Sequence, residues 1–189
     1  MCCKMADYHY VEDRYTLTKW REAKKRARKH IGNYLLFAIV LYLLLNVIFV
    51  PARVQSTSMT PTISEGSRVL ASRISVLLGK EIQRGDIVIF KRDNVGVVKR
   101  VVAVPGDTVE IVDGVLLVNG EIEDGSYYIG KTNPVKSTKW VVGETEYFVL
   151  GDNREGSYDS RDYGPIDKDT IIAIYLFTYW SGAAIERVK

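Results

Sequence analysis

The sequence predicts a mostly β domain carried behind a single N-terminal membrane-spanning helix, and three observations predict it. Ile31 to Val50 holds no charged residue across twenty positions, enough for a helix to cross about 30 Å of hydrocarbon at about 1.5 Å per residue. Beyond Pro51 the chain falls into short β-branched or apolar runs bounded by glycine, proline and Asx-Gly pairs, the pattern of strands and tight turns. Long stretches of helical periodicity are scarce there. Without crossover helices, an antiparallel β barrel or sandwich fits better than an α/β fold.

The chain has 189 residues, room for one domain plus an anchor. Residues 1–30 carry nine Lys/Arg against four Asp/Glu, whereas residues 51–189 carry seventeen against nineteen. The basic excess therefore belongs to the arm around Lys19 to Lys29 and not to the folded domain, which argues against nucleic acid as a partner. Asn33 and Asn46 are uncharged and near the ends of the apolar run, and Arg53 is the only cation soon after it. The positive-inside rule then gives a cytoplasmic arm at 1–30, a span at 31–50 and an extracytoplasmic domain at 51–189. The lipid bilayer of the cell membrane is the first expected partner. Val50-Pro51-Ala52 resembles a signal-peptide cleavage site. However, the run exceeds the usual 7–15 apolar residues and its charged flank is long, which favours a permanent anchor.

Just past the span, Gln55-Ser56-Thr57-Ser58-Met59-Thr60-Pro61-Thr62 packs hydroxyl residues around a methionine. Pro61 biases Thr60 away from helix, so the segment is extended or turned. Ser58 on such a bend is a candidate nucleophile, set against the plain reading of a Ser/Thr-rich loop. Cys2, Cys3, His9 and His30 are the only cysteines and histidines, and all precede the span. Residues 51–189 therefore hold no disulfide, no thiol nucleophile, no Ser-His-Asp triad and no His-based zinc site. A serine nucleophile there needs Lys, Tyr or a carboxylate as its base. No metal or organic cofactor is expected.

Arg68 to Ala71, Asp86 to Phe90, Val95 to Val104, Tyr147 to Leu150 and Thr170 to Trp180 read as strands, and Ser72 to Leu78 as a candidate short helix. Asp113-Gly114 and Asn119-Gly120 are turn pairs, the second favouring a tight hairpin. The turn-rich section from about 107 to 146 is the candidate for a smaller subdomain. In the strand from Gly96 to Val104, a period of two puts Val97, Lys99, Val101 and Ala103 on one face and Arg100 on the other. Lys99 is either a charge protecting an edge strand or a desolvated amine able to accept a serine proton. Arg100 cannot deprotonate. Gly151 to Pro165 is a long polar loop, either a solvated turn or a site loop, and Asp159 and Arg161 are placed to brace it as a pair.

Four motifs stand in order: S-M-T-P-T at Ser58 to Thr62, G-D-I-V-I-F at Gly85 to Phe90, V-K-R-V-V-A-V-P-G-D at Val98 to Asp107, and G-D-N-R-x-x-S-x-D-S-R at Gly151 to Arg161. Together they resemble the boxes of bacterial type I signal peptidases in their Gram-positive, single-span form. Residues 1–18 fall outside the resemblance, and the region 126–142 is variable in that family. The resemblance implies a membrane-anchored serine endopeptidase with a β catalytic domain of the signal-peptidase type. Such an enzyme removes signal peptides from preproteins after small residues. It implies Ser58 as nucleophile, Lys99 as general base, and Ser56 with the Ser58 N–H as the oxyanion hole. It also implies Ser157 orienting the Lys99 amine, Asp159 and Arg161 as a structural pair, and substrate pairing along an exposed sheet edge. Two serines two residues apart in an extended segment point the same way, so Ser56 and Ser58 are expected to face one carbonyl. A LexA-like self-cleaving Ser/Lys peptidase is the alternative enzyme, disfavoured by the span. A membrane-tethered β scaffold for secretion is the non-enzymatic alternative.

Overall fold

The computed structural model describes residues 4–181, with side chains from residue 19 onward except 22 and 23. Cys2 and Cys3 lie outside the described residues, as do the last eight residues of the outer segment and the side chain of His9. The chain divides after Asn46 into two units. The first holds all but the last two residues of helix α1, Lys4–Ile48, whose portion Lys19–Ile48 is long and apolar enough to cross a membrane. Its large apolar side chains, Ile31 to Val47, are exposed on every side of the helix, as a lipid-facing span requires.

Helix α1 ends two residues earlier than the apolar composition indicates. Phe49 and Val50, read above as the end of the span, open strand β1 (Phe49–Arg53), which pairs antiparallel with β2 (Arg68–Ser72). Pro51 is tolerated because β1 is an edge strand.

The second unit is antiparallel throughout its ladders. After β2 come a one-turn helix α2 (Ile74–Leu77), β3 (Ile87–Arg92), β4 (Val95–Ala103), β5 (Thr108–Val112), β6 (Val115–Val118), β7 (Glu121–Ile122) and β8 (Lys139–Val141). Then follow β9 (Glu146–Leu150), a helical turn α3 (Ser160–Tyr163), β10 (Ile166–Asp167) and β11 (Ile171–Trp180). A seven-stranded sheet runs β1-β2-β11-β3-β4-β9-β10, and a four-stranded sheet runs β7-β6-β5-β8. The larger sheet stays open from β1 to β10 and does not close into a barrel. Asp113-Gly114 and Asn119-Gly120 take positive φ at both positions, the backbone a two-residue hairpin needs.

The turn-rich section from 107 to 146 forms the smaller sheet. One apolar cluster joins it to the larger one, with Val109, Ile111, Leu116 and Val118 packed against Val102, Phe148 and Leu150. The Trp140 and Phe148 rings meet there at 5.1 Å. Strict alternation along β4 fails at its C-terminal end. Val97 and Val101 share a cluster, but Ala103 belongs with Val102 in the next one and Val104 returns to the first. The β4–β9 register slips between Val101 and Ala103, and an extra residue in a ladder reverses the faces beyond it.

Candidate active site

The segment carrying Ser58 is a single turn of 3-10 helix, Thr57–Met59. Met59 and Ile63 anchor it in a cluster with Val54, Val69 and Ile87, and both are fully buried. Thr60 is extended, as its position before proline dictates. Ser56 is extended too, but Ser58 is not, so the two serines do not lie in one strand as expected. They meet by capping instead: the Ser56 Oγ accepts from the Ser58 N–H at 3.2 Å, closing the N-terminus of the turn. Ser58 is buried and Ser56 exposed.

Lys99 lies on β4, opposite Val88 of β3. The β9 ladder begins only at Arg100, paired with Leu150, which leaves one side of Val95 to Lys99 without a neighbouring strand. The Lys99 side chain is nevertheless buried, so it does not serve as a solvated charge protecting that edge. Lys99 is 3% exposed, and among the described residues its amine has neither an ion pair nor a hydrogen bond. Burial pushes its pKa down from 10.5 to about 8; Arg161 adds to that, while Asp159, Asp152 and Asp162 oppose it. Ser56, Ser58 and Lys99 line one cleft of about 460 Å³, bounded by Arg53, Val97 and Tyr158.

Ser157 borders this cleft through its neighbours Gly156 and Tyr158. Its Oγ is buried without a hydrogen-bond partner, an uncommon state for a hydroxyl unless a functional partner completes it. Gly151 explains how Ser157 and Ser58 come so near. A Cβ at Gly151 would sit 2.3 Å from the Ser157 Oγ and 2.5 Å from the Ser58 carbonyl oxygen. Only a residue without a side chain fits between them.

The loop after β9 is rigid for identifiable reasons. Arg161 grips Asp159 through Nε at 2.8 Å and Nη2 at 2.9 Å, and also donates to the carbonyls of Arg154 and Ser157. The Asp159 carboxylate accepts from the Gly151 N–H and caps α3 in a capping box with Asp162. Ser160 Oγ accepts from the Val149 N–H, stitching the loop back to β9.

Two buried ion pairs escaped the sequence reading. Asp152, fully buried, accepts two bonds from Arg100 at 2.8 and 2.7 Å and one from Thr62 Oγ1 at 2.5 Å. It thereby ties the segment carrying Ser58, β4 and the loop together. Arg154 grips Glu123 through both terminal nitrogens, donates to Thr132, and lies 3.7 Å from the Tyr128 ring centroid. The available signal was the charge density of Gly151 to Arg161 and the position of Arg100 on the face opposite Lys99. Among the described residues no group of three or more His, Cys, Asp or Glu is placed to hold a metal ion.

Comparison with known proteins gives three findings. Residues 27–180 match the family described as signal peptidase, peptidase S26. Signal peptidase IB of Staphylococcus aureus (strain Mu50) is 34% identical over 175 residues, covering 83% of this chain and 91% of the relative. A probable thylakoidal processing peptidase 2 from Arabidopsis thaliana is 36% identical over 148 residues, 73% of this chain and 40% of that protein. Among solved structures, a signal peptidase I from Enterococcus faecalis superposes with a TM-score of 0.42 at 33% identity, over 52% of this chain and 98% of that one.

Proposed function

This chain belongs to the signal peptidase family, peptidase S26, and is a membrane-anchored serine endopeptidase; on that premise we propose that Ser58 is its nucleophile and Lys99 its general base. The observation that carries the assignment is the Lys99 amine, buried, without an ion pair among the described residues, and lining the same cleft as Ser58. Preproteins are the substrates the family implies, and neither the self-cleaving nor the scaffold alternative is favoured by it.

In this reading the neutral Lys99 amine takes the Ser58 hydroxyl proton as Oγ attacks the scissile carbonyl. The developing oxyanion is held by the Ser58 N–H and the Ser56 hydroxyl. The Ser58 N–H, which caps onto Ser56 in the free enzyme, turns to the carbonyl oxygen on substrate binding. The tetrahedral intermediate collapses to a Ser58 ester, and the Lys99 ammonium gives its proton to the departing amine. Water then attacks the ester with Lys99 again accepting a proton, and Ser58 leaves as a free hydroxyl. Ser157 orients the amine, and the Asp159–Arg161 pair holds Ser157 in place. The unpaired side of Val95 to Val98 offers main-chain bonds to an extended substrate, Gly96 and Gly156 are among the residues lining the cleft, and small side chains before the cut are what the family implies.

Basic residues before the span and their scarcity after it support an N-terminus in the cytoplasm and a catalytic domain across the cell membrane. Enzyme and substrate then share one bilayer, which raises their effective concentration. The test is cleavage in trans: the full chain in detergent, given a preprotein, cuts once after a small residue, and Ser58→Ala and Lys99→Met do not. Cleavage persisting in either folded variant overturns the dyad.

A further inference from the structure

The cleft extends beyond the residues that chemistry needs. Tyr158 and Val95 also line it, each 62% exposed, and Val95 stands four residues before Lys99 on β4. The Tyr158 ring is not loose. It meets Tyr163 edge-on at 5.4 Å, and the Arg92 guanidinium lies 5.7 Å from its centroid while covering Tyr163 at 3.8 Å. Arg92 pairs with Val95 across the β3–β4 hairpin, so the ring and the valine stand together at one place. An apolar surface held in position before binding gives contact area at little entropic cost.

The distance of this wall from the reaction identifies what meets it. Val95 to Lys99 is one extended stretch of β4, and four residues of strand cover about 13 Å. A substrate strand lying along that open side advances at the same pitch. With its scissile carbonyl at Ser58, the residue beside Val95 is the fourth or fifth before the cut. The direction follows from chemistry: the wall is apolar, and in a signal-peptide substrate the apolar stretch precedes the cut.

We propose that Tyr158 and Val95 form an upstream subsite that selects preproteins carrying an aliphatic or aromatic side chain four or five residues before the cut. The subsite rests on the peptidase reading above and adds a second recognition element, separate from the small residues at the cut. It reads the end of the apolar stretch of a signal peptide, where a buried side chain loses water against the Tyr158 face.

Two synthetic preproteins test this, identical except for leucine or glutamine at both the fourth and fifth positions before the cut. The intact enzyme is expected to prefer leucine by roughly tenfold in kcat/KM, chiefly through KM, because the contact is made equally in the ground and transition states. Tyr158→Ala reduces that ratio to within about twofold of unity, and Tyr158→Phe retains it. The ratio is taken within one sample, so a loss of folded enzyme cancels. An intact enzyme without the preference, or a Tyr158→Ala enzyme that keeps it, overturns the subsite. A preference that instead follows residues after the cut overturns the direction of binding and the subsite with it. Failure to cut either substrate overturns the peptidase reading itself, and the subsite falls with it.

Discussion

The backbone N–H of Asn153 donates to the carbonyl oxygen of Ser58 at 3.0 Å. The loop that follows β9 therefore holds the main chain of Ser58 directly, and the proposed dyad is only as well aligned as that loop.

Gly151→Ala follows from this. A methyl group there meets Ser157 Oγ and the Ser58 carbonyl oxygen, both well inside contact distance, and backbone on one side cannot swing away. Overpacking of this kind costs about 1–3 kcal/mol of stability. Displacing Ser58 from Lys99 by an ångström costs on the order of 10²-fold in rate. Steady-state kinetics beside a thermal melt will show kcat falling much further than stability explains.

Lys99 carries a pH prediction with two opposite readouts. Activity rises with pH through an apparent pKa near 8 as the amine becomes a base, and Lys99→Arg is inactive at every pH. For stability, the folded chain gives up the Lys99 proton at about pH 8 and the unfolded chain near 10.5. Between those values the unfolded state binds the extra proton, so wild-type stability rises with pH across that window. Below it the fold carries a buried ammonium. Lys99→Met is therefore expected to be dead yet more stable at pH 7, by something on the order of 2–3 kcal/mol, with the gain fading toward pH 10.5. Denaturant titrations at three pH values check the sign.

Ser56→Ala separates the oxyanion hole from the nucleophile. Losing one donor to the developing oxyanion lowers kcat by roughly 10²–10³ with little change in KM. Ser56→Thr keeps a hydroxyl and recovers part of the rate. A near-wild-type kcat for Ser56→Ala leaves Ser56 with its capping role alone.

Asp152→Ala addresses the clamp between the segment carrying Ser58 and β4. The Arg100 side chain is left mostly buried without its carboxylate, and breaking such a pair typically costs about 3–5 kcal/mol. Thr62 loses its shortest hydrogen bond as well. The melting temperature falls, and activity at low temperature, where the fold persists, falls less than in Gly151→Ala.

Topology has its own measurement. Protease added outside right-side-out vesicles is expected to digest the β domain and to spare a tag at residue 1. The reverse pattern overturns the orientation drawn from the charge asymmetry.

What could be read from the sequence was whatever composition expresses locally. The apolar span, the β-branched runs of β2, β3, β4, β9 and β11, and the short helix after Ser72 all appear where the pattern places them. So do the Asx-Gly turns. Phe49 and Val50 were misassigned because hydrophobicity does not distinguish the end of a span from the start of a buried strand. The two-residue strands β7 and β10 carry no period at all. The bulge near Val102 arises from pairing with β9, which a period of two cannot anticipate. For the candidate site, Ser58, Lys99 and Ser157 could be singled out because their motifs are contiguous, and Ser58 and Lys99 do line one cleft. The Arg100–Asp152 bond joins residues 52 positions apart, and the capping geometry of Ser56 depends on a 3-10 turn imposed by the burial of Met59. Both are products of tertiary packing.

Strand β1 has a consequence for the enzyme's own survival. Val50-Pro51-Ala52 looks like a sequence this class of peptidase would cut, and it joins the anchor to the catalytic domain. In the fold these residues are paired with Ala71, Leu70 and Val69, and Ala52 packs into the interior. Pairing with β2 occupies one side of this main chain, and Pro51 leaves no N–H at its own position to offer a second strand. Docked as β1, the junction is therefore a poorer extended ligand for a neighbour's cleft than the same residues would be in a free chain.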